Sequence, residues 1–282
     1  QMDIVGDTLF APHGGVGLRV WDVSTSPFGE TSQFNPLGHL HGFLIEGDVA
    51  FVEDYPNDFK ILDLMNPAEP TVLANYAIQE PPASADSAFF VELDRFGEYL
   101  YLTRRDGVEV VDVSDLSKPQ FAAFFNNVPG YYSPAGLHFL EDDVAYFGVG
   151  DSEFDSVQVL DMSDPISPTV VNSWGTPDWR GRLLRVDGNR LYVYEQSSGY
   201  QNKFTQLDIS NPAEPTVTKI YTGTDDVFGV DMLPIGETVY LFDNDYKVEV
   251  IDFSGSSPEL VLPFAPSMGL DDCVRLNELE AR

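Results

Sequence analysis

The chain has 282 residues, 43% of them hydrophobic and 13% aromatic, which is ample for a sizeable core and excludes global disorder. Fifteen Lys+Arg stand against 46 Asp+Glu, and the resulting charge of −31 excludes a nucleic-acid-binding surface and repels an anionic membrane. The single cysteine, Cys273, excludes an intrachain disulfide framework, and no apolar run reaches the roughly 18–20 residues of a membrane span.

In chain order, one unit recurs six times, and each copy predicts four short strands, A to D. The first has a fragment of strand A at 2–5, a turn at Gly6-Asp7, the aromatic Phe10 on strand B, and a strand C ending VWDVS at Asp22, with Pro27 beyond. The second runs from strand A at 42–46 through Gly47-Asp48, Phe51 and ILDLM at Asp63 to Pro67, Pro70 and a strand D over 71–76. The third carries Gly97-Glu98, Tyr101, VVDVS at Asp112, Pro119 and a strand D over 120–125. The fourth carries Asp142-Asp143, Tyr146, VLDMS at Asp161, Pro165, Pro168 and a strand D over 169–174. Gly188-Asn189, Tyr192, QLDIS at Asp208, Pro212 and Pro215 mark the fifth. Gly236-Glu237, Tyr240, VIDFS at Asp252 and Pro258 mark the sixth.

The residue three before each Asp is polar (Arg19, Lys60, Glu109, Gln158, Thr205, Glu249) among apolar neighbours, which predicts a strand C with one exposed face. No stretch sustains a helical period. A four-stranded unit cannot bury both faces alone, and radial stacking of six sheets solves that. The predicted fold is therefore all-β: a six-bladed β-propeller of four-stranded antiparallel blades, one domain over 1–282. The tail Asp272–Asn277 resembles a further strand A, so the C-terminal strand is expected to close the ring on the first blade.

A Gly-acid turn, an aromatic three residues on, and a hydrophobic run closing in Asp, an apolar residue and Ser before proline make a recognisable unit. It resembles the LVIVD-repeat β-propellers of bacterial and archaeal secreted or surface proteins along essentially the whole chain. That resemblance implies an extracellular, periplasmic or cell-surface location and a binding or scaffold role, with no shared catalytic motif. Met65 in place of Ser and Gln206 within an apolar run are departures from the pattern. No basic-then-apolar leader opens the chain, so either it is cytosolic or a leader has been removed.

The six aspartates read as turn nuclei, since an Asp carboxylate accepts backbone N–H bonds two residues on. Individuality then falls to the D–A and B–C loops, which emerge on one face and vary in length and chemistry. Tyr131, Tyr132, Trp174, Trp179 and Tyr221 lie there with Arg180 and Arg182, an aromatic set suited to sugar or peptide recognition. His39 and His41 point the same way in extended chain, with His13 and Asp54 on flanking blades, a set that could hold a transition metal. Asp54, Asp151, Glu195, Asp243 and Asp245 are candidate oxygen ligands for Ca²⁺, although no D-x-D-x-D-G loop is present. No Gly-rich phosphate loop, GxSxG elbow or HExxH occurs, so no catalytic residue is named and the balance is against an enzyme.

The expected function is a non-enzymatic interaction propeller that binds a protein, peptide or glycan through the D–A/B–C face, with no nucleic-acid partner and no membrane insertion. Two alternatives remain: a calcium-dependent six-bladed hydrolase or lactonase, and a structural component of an envelope or appendage. The carboxylate-rich surface suits a saline or calcium-rich setting.

Overall fold

The computed structural model describes residues 3–13, 17–24, 26, 29–34, 43–54, 58–67, 69–79, 90–104, 107–125, 137–140, 143–148, 157–175, 179–197, 201–223, 229–243 and 248–264. Among them lie 24 strands and no helix. Blade I comprises β1 (Asp3–Val5), β2 (Thr8–His13), β3 (Gly17–Asp22) and β4 (Gly29–Phe34); blade II comprises β5 (Phe43–Glu46), β6 (Val49–Asp54), β7 (Asp58–Asp63) and β8 (Thr71–Ala77). Blade III is built from β9 (Phe90–Phe96), β10 (Tyr99–Arg104), β11 (Gly107–Asp112) and β12 (Gln120–Phe125). Blade IV is built from β13 (Leu137–Leu140), β14 (Val144–Gly148), β15 (Val157–Asp161) and β16 (Thr169–Trp174). Blade V has β17 (Trp179–Asp187), β18 (Arg190–Ser197), β19 (Asn202–Asp208) and β20 (Thr216–Thr222); blade VI has β21 (Gly229–Ile235), β22 (Thr238–Asp243), β23 (Val248–Asp252) and β24 (Glu259–Phe264).

Each blade is a four-stranded antiparallel meander of one contiguous stretch of chain, and the six make the propeller. β1 supplies the first strand of blade I, as the strand A fragment at 2–5 predicts, pairing with β2 from Asp3–Phe10 to Val5–Thr8. Asp272–Asn277 lie outside the described residues.

Short turns fix the register. Val5 faces Thr8 and Glu46 faces Val49 across two-residue turns, and Gly47 takes φ +58°, the first central position of a hairpin turn that tolerates no side chain easily. Blade IV differs. Leu140 faces Val144 across three residues, and Asp143 adopts φ +57°, the left-handed position that a three-residue hairpin places last.

The repeated aspartates cap the C–D turns. Asp22 Oδ1 accepts from Ser24 N–H (2.8 Å) and Ser24 Oγ–H (2.5 Å), and Asp208 does the same with Ser210. Asp112, Asp161 and Asp252 accept from the N–H of Ser114, Ser163 and Ser254. These bonds hold the carboxyls of Asp22, Asp112, Asp161, Asp208 and Asp252 below the ordinary range. At Asp63 the partner is Met65 N–H alone, because Met65 has no hydroxyl to add.

The repeated aromatics stand between blades, and those of blades III, IV and V also bond across to the next blade. Tyr101 O–H donates to Pro165 O and Tyr146 O–H to Pro212 O, each at 2.8 Å, linking strand B of one blade to the C–D turn of the next. Tyr192 O–H donates to Gly236 O at 2.7 Å, while blades I and II carry Phe10 and Phe51 at this position. Apolar clusters fill the seams. Phe51, Ile61, Leu100 and Val111 pack between blades II and III, and Tyr146, Val159, Leu191 and Leu207 between IV and V.

In blades III, IV and V the polar residue on strand C does not mark an exposed face, which corrects that expectation there: Glu109 and Thr205 are fully enclosed and Gln158 is 8% exposed, whereas Arg19, Lys60 and Glu249 are half-buried. A blade in a ring is covered on both faces by its neighbours, so period-2 polarity here marks buried polar contacts. Solvent meets the sheets mainly at the outer strands, where Val170 and Val171 are about half exposed. Every outer strand slips register against strand C, between Val159 and Leu160 in blade IV for instance, a bulge that discourages edge-to-edge pairing.

Candidate functional site

Two of the aromatic candidates converge at the loop-rich ends of blades IV and V, around a lysine that sequence reading did not single out. Trp174 closes β16, Trp179 opens β17, and Lys203 is the second residue of β19. The Lys203 ammonium lies 4.5 Å from the centre of the Trp179 ring and 5.7 Å from that of Trp174, within the ~6 Å range of cation–π attraction. Glu195 Oε2 stands 2.9 Å from Lys203 Nζ and also accepts from Thr205 Oγ–H at 3.1 Å. Glu195 is fully enclosed and Lys203 is 6% exposed, so this ion pair is a buried one. Both indoles are half-buried, each holding a face toward the same fixed cation.

Register explains the arrangement. Glu195 is paired directly with Lys203 across β18 and β19, and Val193 with Thr205 two residues on, so Glu195, Lys203 and Thr205 share one face. That face looks onto blade IV, where Trp174 joins the seam cluster. On the opposite face, Tyr194 stacks on Phe204 (4.9 Å between centres) and Phe204 on Tyr221 (6.1 Å), while Tyr194 O–H donates to Asn202 Oδ1 at 2.9 Å. Tyr221 therefore packs behind the site, separated from the tryptophans by the sheet.

Blade V is longer than expected, and this relocates several candidates. Residues 179–182 and 195–197 belong to strands, where sequence reading placed loops. Trp179, Arg180, Arg182 and Glu195 are thus sheet residues, with a bulge between Gly181 and Leu183. The side chains of Arg180 and Arg182 lie outside the described residues, as do His39, His41, Tyr131, Tyr132, Asp151 and Asp245 entirely. Asp54 and Asp243 end β6 and β22, and their side chains too lie outside. Among the described residues no group of three or more His, Cys, Asp or Glu side chains is placed to hold a metal ion.

A common register unites candidates that looked scattered. His13, Asp54, Arg104, Glu195 and Asp243 each stand three residues beyond the strand-B aromatic, at the loop-rich end of their blades. In blade III this position is Arg104, 1% exposed with its guanidinium 5.1 Å from the centre of the Phe124 ring. On the same face of that blade Glu109 accepts from Tyr76 O–H (2.7 Å) and from Gln79 N–H (3.0 Å) of blade II. Burial, and then this carboxylate, push the Tyr76 phenol up.

A second charged cluster went unread in the sequence. Glu92 of β9, Arg185 of β17 and Asp231 of β21 come from the first strands of blades III, V and VI and meet at the axis. Arg185 Nη2 donates to Asp231 Oδ1 at 2.7 Å, and Nη1 lies 3.9 Å from Glu92 Oε1. Burial pushes the Glu92 carboxyl up to about 7; the Arg185 charge opposes the rise and the Asp231 charge adds to it. The signal available beforehand was faint: Glu92 and Asp231 each precede the A–B turn glycine, Gly97 or Gly236, by five residues.

The LVIVD repeat matches residues 38–78, 96–126 and 183–223, which span most of blade II, the greater part of blade III and nearly all of blade V. The chain is a β-propeller in which three stretches match the LVIVD repeat. No curated protein matches the sequence. Among solved structures, this propeller is similar to a protein from Lactobacillus plantarum, with TM-score 0.72 and 14% identity over 92% of this chain and 82% of the other. It is also similar to a putative 6-phosphogluconolactonase from Bacteroides fragilis, with TM-score 0.68 and 10% identity over 93% and 81%. The Cps50 (Swd1) β-propeller domain from Myceliophteria thermophila gives 0.66 and 11% over 95% and 90%. At such identities the likeness is one of fold.

Proposed function

We propose that this propeller is a non-enzymatic binding module, secreted or surface-attached, that takes a protein, peptide or glycan partner at its loop-rich rim. Trp174 and Trp179 are its contact surface. The observation that supports this reading is the indole pair fixed on Lys203. Aromatic anchors dominate recognition energetics, and rings already held in place lose little further freedom on binding. The variable D–A and B–C loops flank the pair, while the C–D turns of the other rim repeat one design. The surface or secreted location rests on the resemblance of the repeat to surface and secreted propellers and on the acidic composition.

The test is a screen of the purified protein against arrays of neutral glycans, acidic glycans and short peptides. Trp179→Ala should weaken capture of any hit about tenfold or more, as expected for an anchor worth about 1.4 kcal/mol or more, with the fold retained and the melting temperature lowered only by the lost contact with Lys203. Capture that survives loss of both Trp174 and Trp179 overturns the reading.

A further inference from the structure

We propose that Glu92, Arg185 and Asp231 form a proton-controlled clamp across the axis, in which the protonation state of Glu92 decides how Arg185 is shared between blades III and VI. The geometry shows an arginine committed on one side only. Nη2 bonds Asp231 at 2.7 Å, and Nη1 donates to its own strand at Leu184 O, 2.8 Å away, so Glu92 at 3.9 Å lies beyond hydrogen-bond distance. Asp231 is held further by Met232 N–H at 2.8 Å. With Glu92 neutral, this arrangement is complete. With Glu92 ionised, two carboxylates face one guanidinium, and Arg185 is drawn toward Glu92 through the second Nη1–H to bridge both strands.

Among the described residues, the strand of Glu92 carries Asp94 and Arg95, and Arg95 is tied to Glu46 of β5 at 2.8 Å. β10 carries Tyr99, Tyr101 and Arg104, β17 carries Arg185 and Asp187, and β21 carries Asp231. His138 of β13 is paired in register with Tyr146, as Arg185 is with Tyr192, and its side chain, like those of Arg180 and Arg182 on β17, lies outside the described residues.

The sign follows from the direction of the shift. A carboxyl raised from 4.5 to about 7 binds its proton more tightly in the native state. Its contribution to stability is full below the unfolded value and is lost as pH rises toward 7. The capped aspartates act oppositely and lower: their depressed carboxyls stabilise above about pH 4 and lose that contribution only as pH falls further. A window from pH 4.5 to 8 therefore separates the clamp from the aspartates of the turns, and the Glu92→Gln reference accounts for the histidines that titrate within it.

Two measurements on the full chain at fixed ionic strength test it. By carbon-detected NMR, the Glu92 carboxyl should titrate near pH 7, and Asp231→Asn should bring it down by removing a like charge and freeing Arg185. By denaturant unfolding, the wild-type unfolding constant should rise on the order of a hundredfold across the window relative to Glu92→Gln. His138→Asn should keep the wild-type slope. A Glu92 titration near 4.5 overturns the clamp. So does a parallel fall in the wild type and Glu92→Gln, or a slope that vanishes in His138→Asn and persists in Glu92→Gln.

Discussion

Replacing Lys203 by methionine should destabilise the protein by about 3–5 kcal/mol, the usual cost of removing one member of a buried ion pair. Glu195 has no exposed surface, and Thr205 Oγ–H also donates to it at 3.1 Å. A carboxylate enclosed there loses the ammonium that offsets its desolvation. The indoles lose their shared cation at the same time, about 0.5–2 kcal/mol more when such contacts are desolvated. The double variant Lys203→Met with Glu195→Gln should recover most of the loss, because no unpaired charge then remains. Guanidinium unfolding of the four proteins of the cycle gives the coupling directly. A single-variant cost below about 1 kcal/mol would mean that solvent already reaches the pair.

Glu109→Met in blade III is the second large effect, at about 2–4 kcal/mol. The carboxylate is wholly enclosed and joins two blades by accepting from Tyr76 O–H at 2.7 Å and Gln79 N–H at 3.0 Å. Methionine fills similar volume and offers neither donor an acceptor. Tyr76→Phe on that background removes one stranded donor and should regain part of the loss, so the two substitutions should couple favourably in a cycle. Strict additivity would show that the Tyr76–Glu109 bond contributes nothing to the II–III seam. Blade III thus places Arg104 and Glu109 where blade V places Glu195 and Thr205, so both blades hold a buried charge three residues beyond the strand-B aromatic.

The fold was legible because each blade restates the same requirements. Asp22 and its five counterparts must cap a turn, and Phe10 and its counterparts must fill a seam, so both recur at a countable spacing. Trp174 and Trp179 were legible as residue types beside variable loops. Their partner was not. Lys203 and Glu195 fall where blade V extends its strands, and propensity gives no hint that a Glu followed by Gln-Ser continues a sheet. The axial cluster was less legible still, since Arg185 and Asp231 lie 46 residues apart and each has a different residue type at the equivalent place in neighbouring blades. Contacts across a ring carry no local pattern. The misread polarity of strand C has the same origin: Glu109 looks like a solvent-facing residue until a second blade is laid against it.

The three tryptophans allow the placement of function at one rim to be measured within a single molecule. Trp174 and Trp179 sit at the loop-rich ends, whereas Trp21 precedes the capped Asp22 at the other rim. Indole N–H signals in a ¹⁵N spectrum, followed during titration with a glycan or peptide taken from the arrays, report on both rims together. The Trp174 and Trp179 signals should move on binding while Trp21 holds still; movement of Trp21 with the other two unchanged would contradict the account.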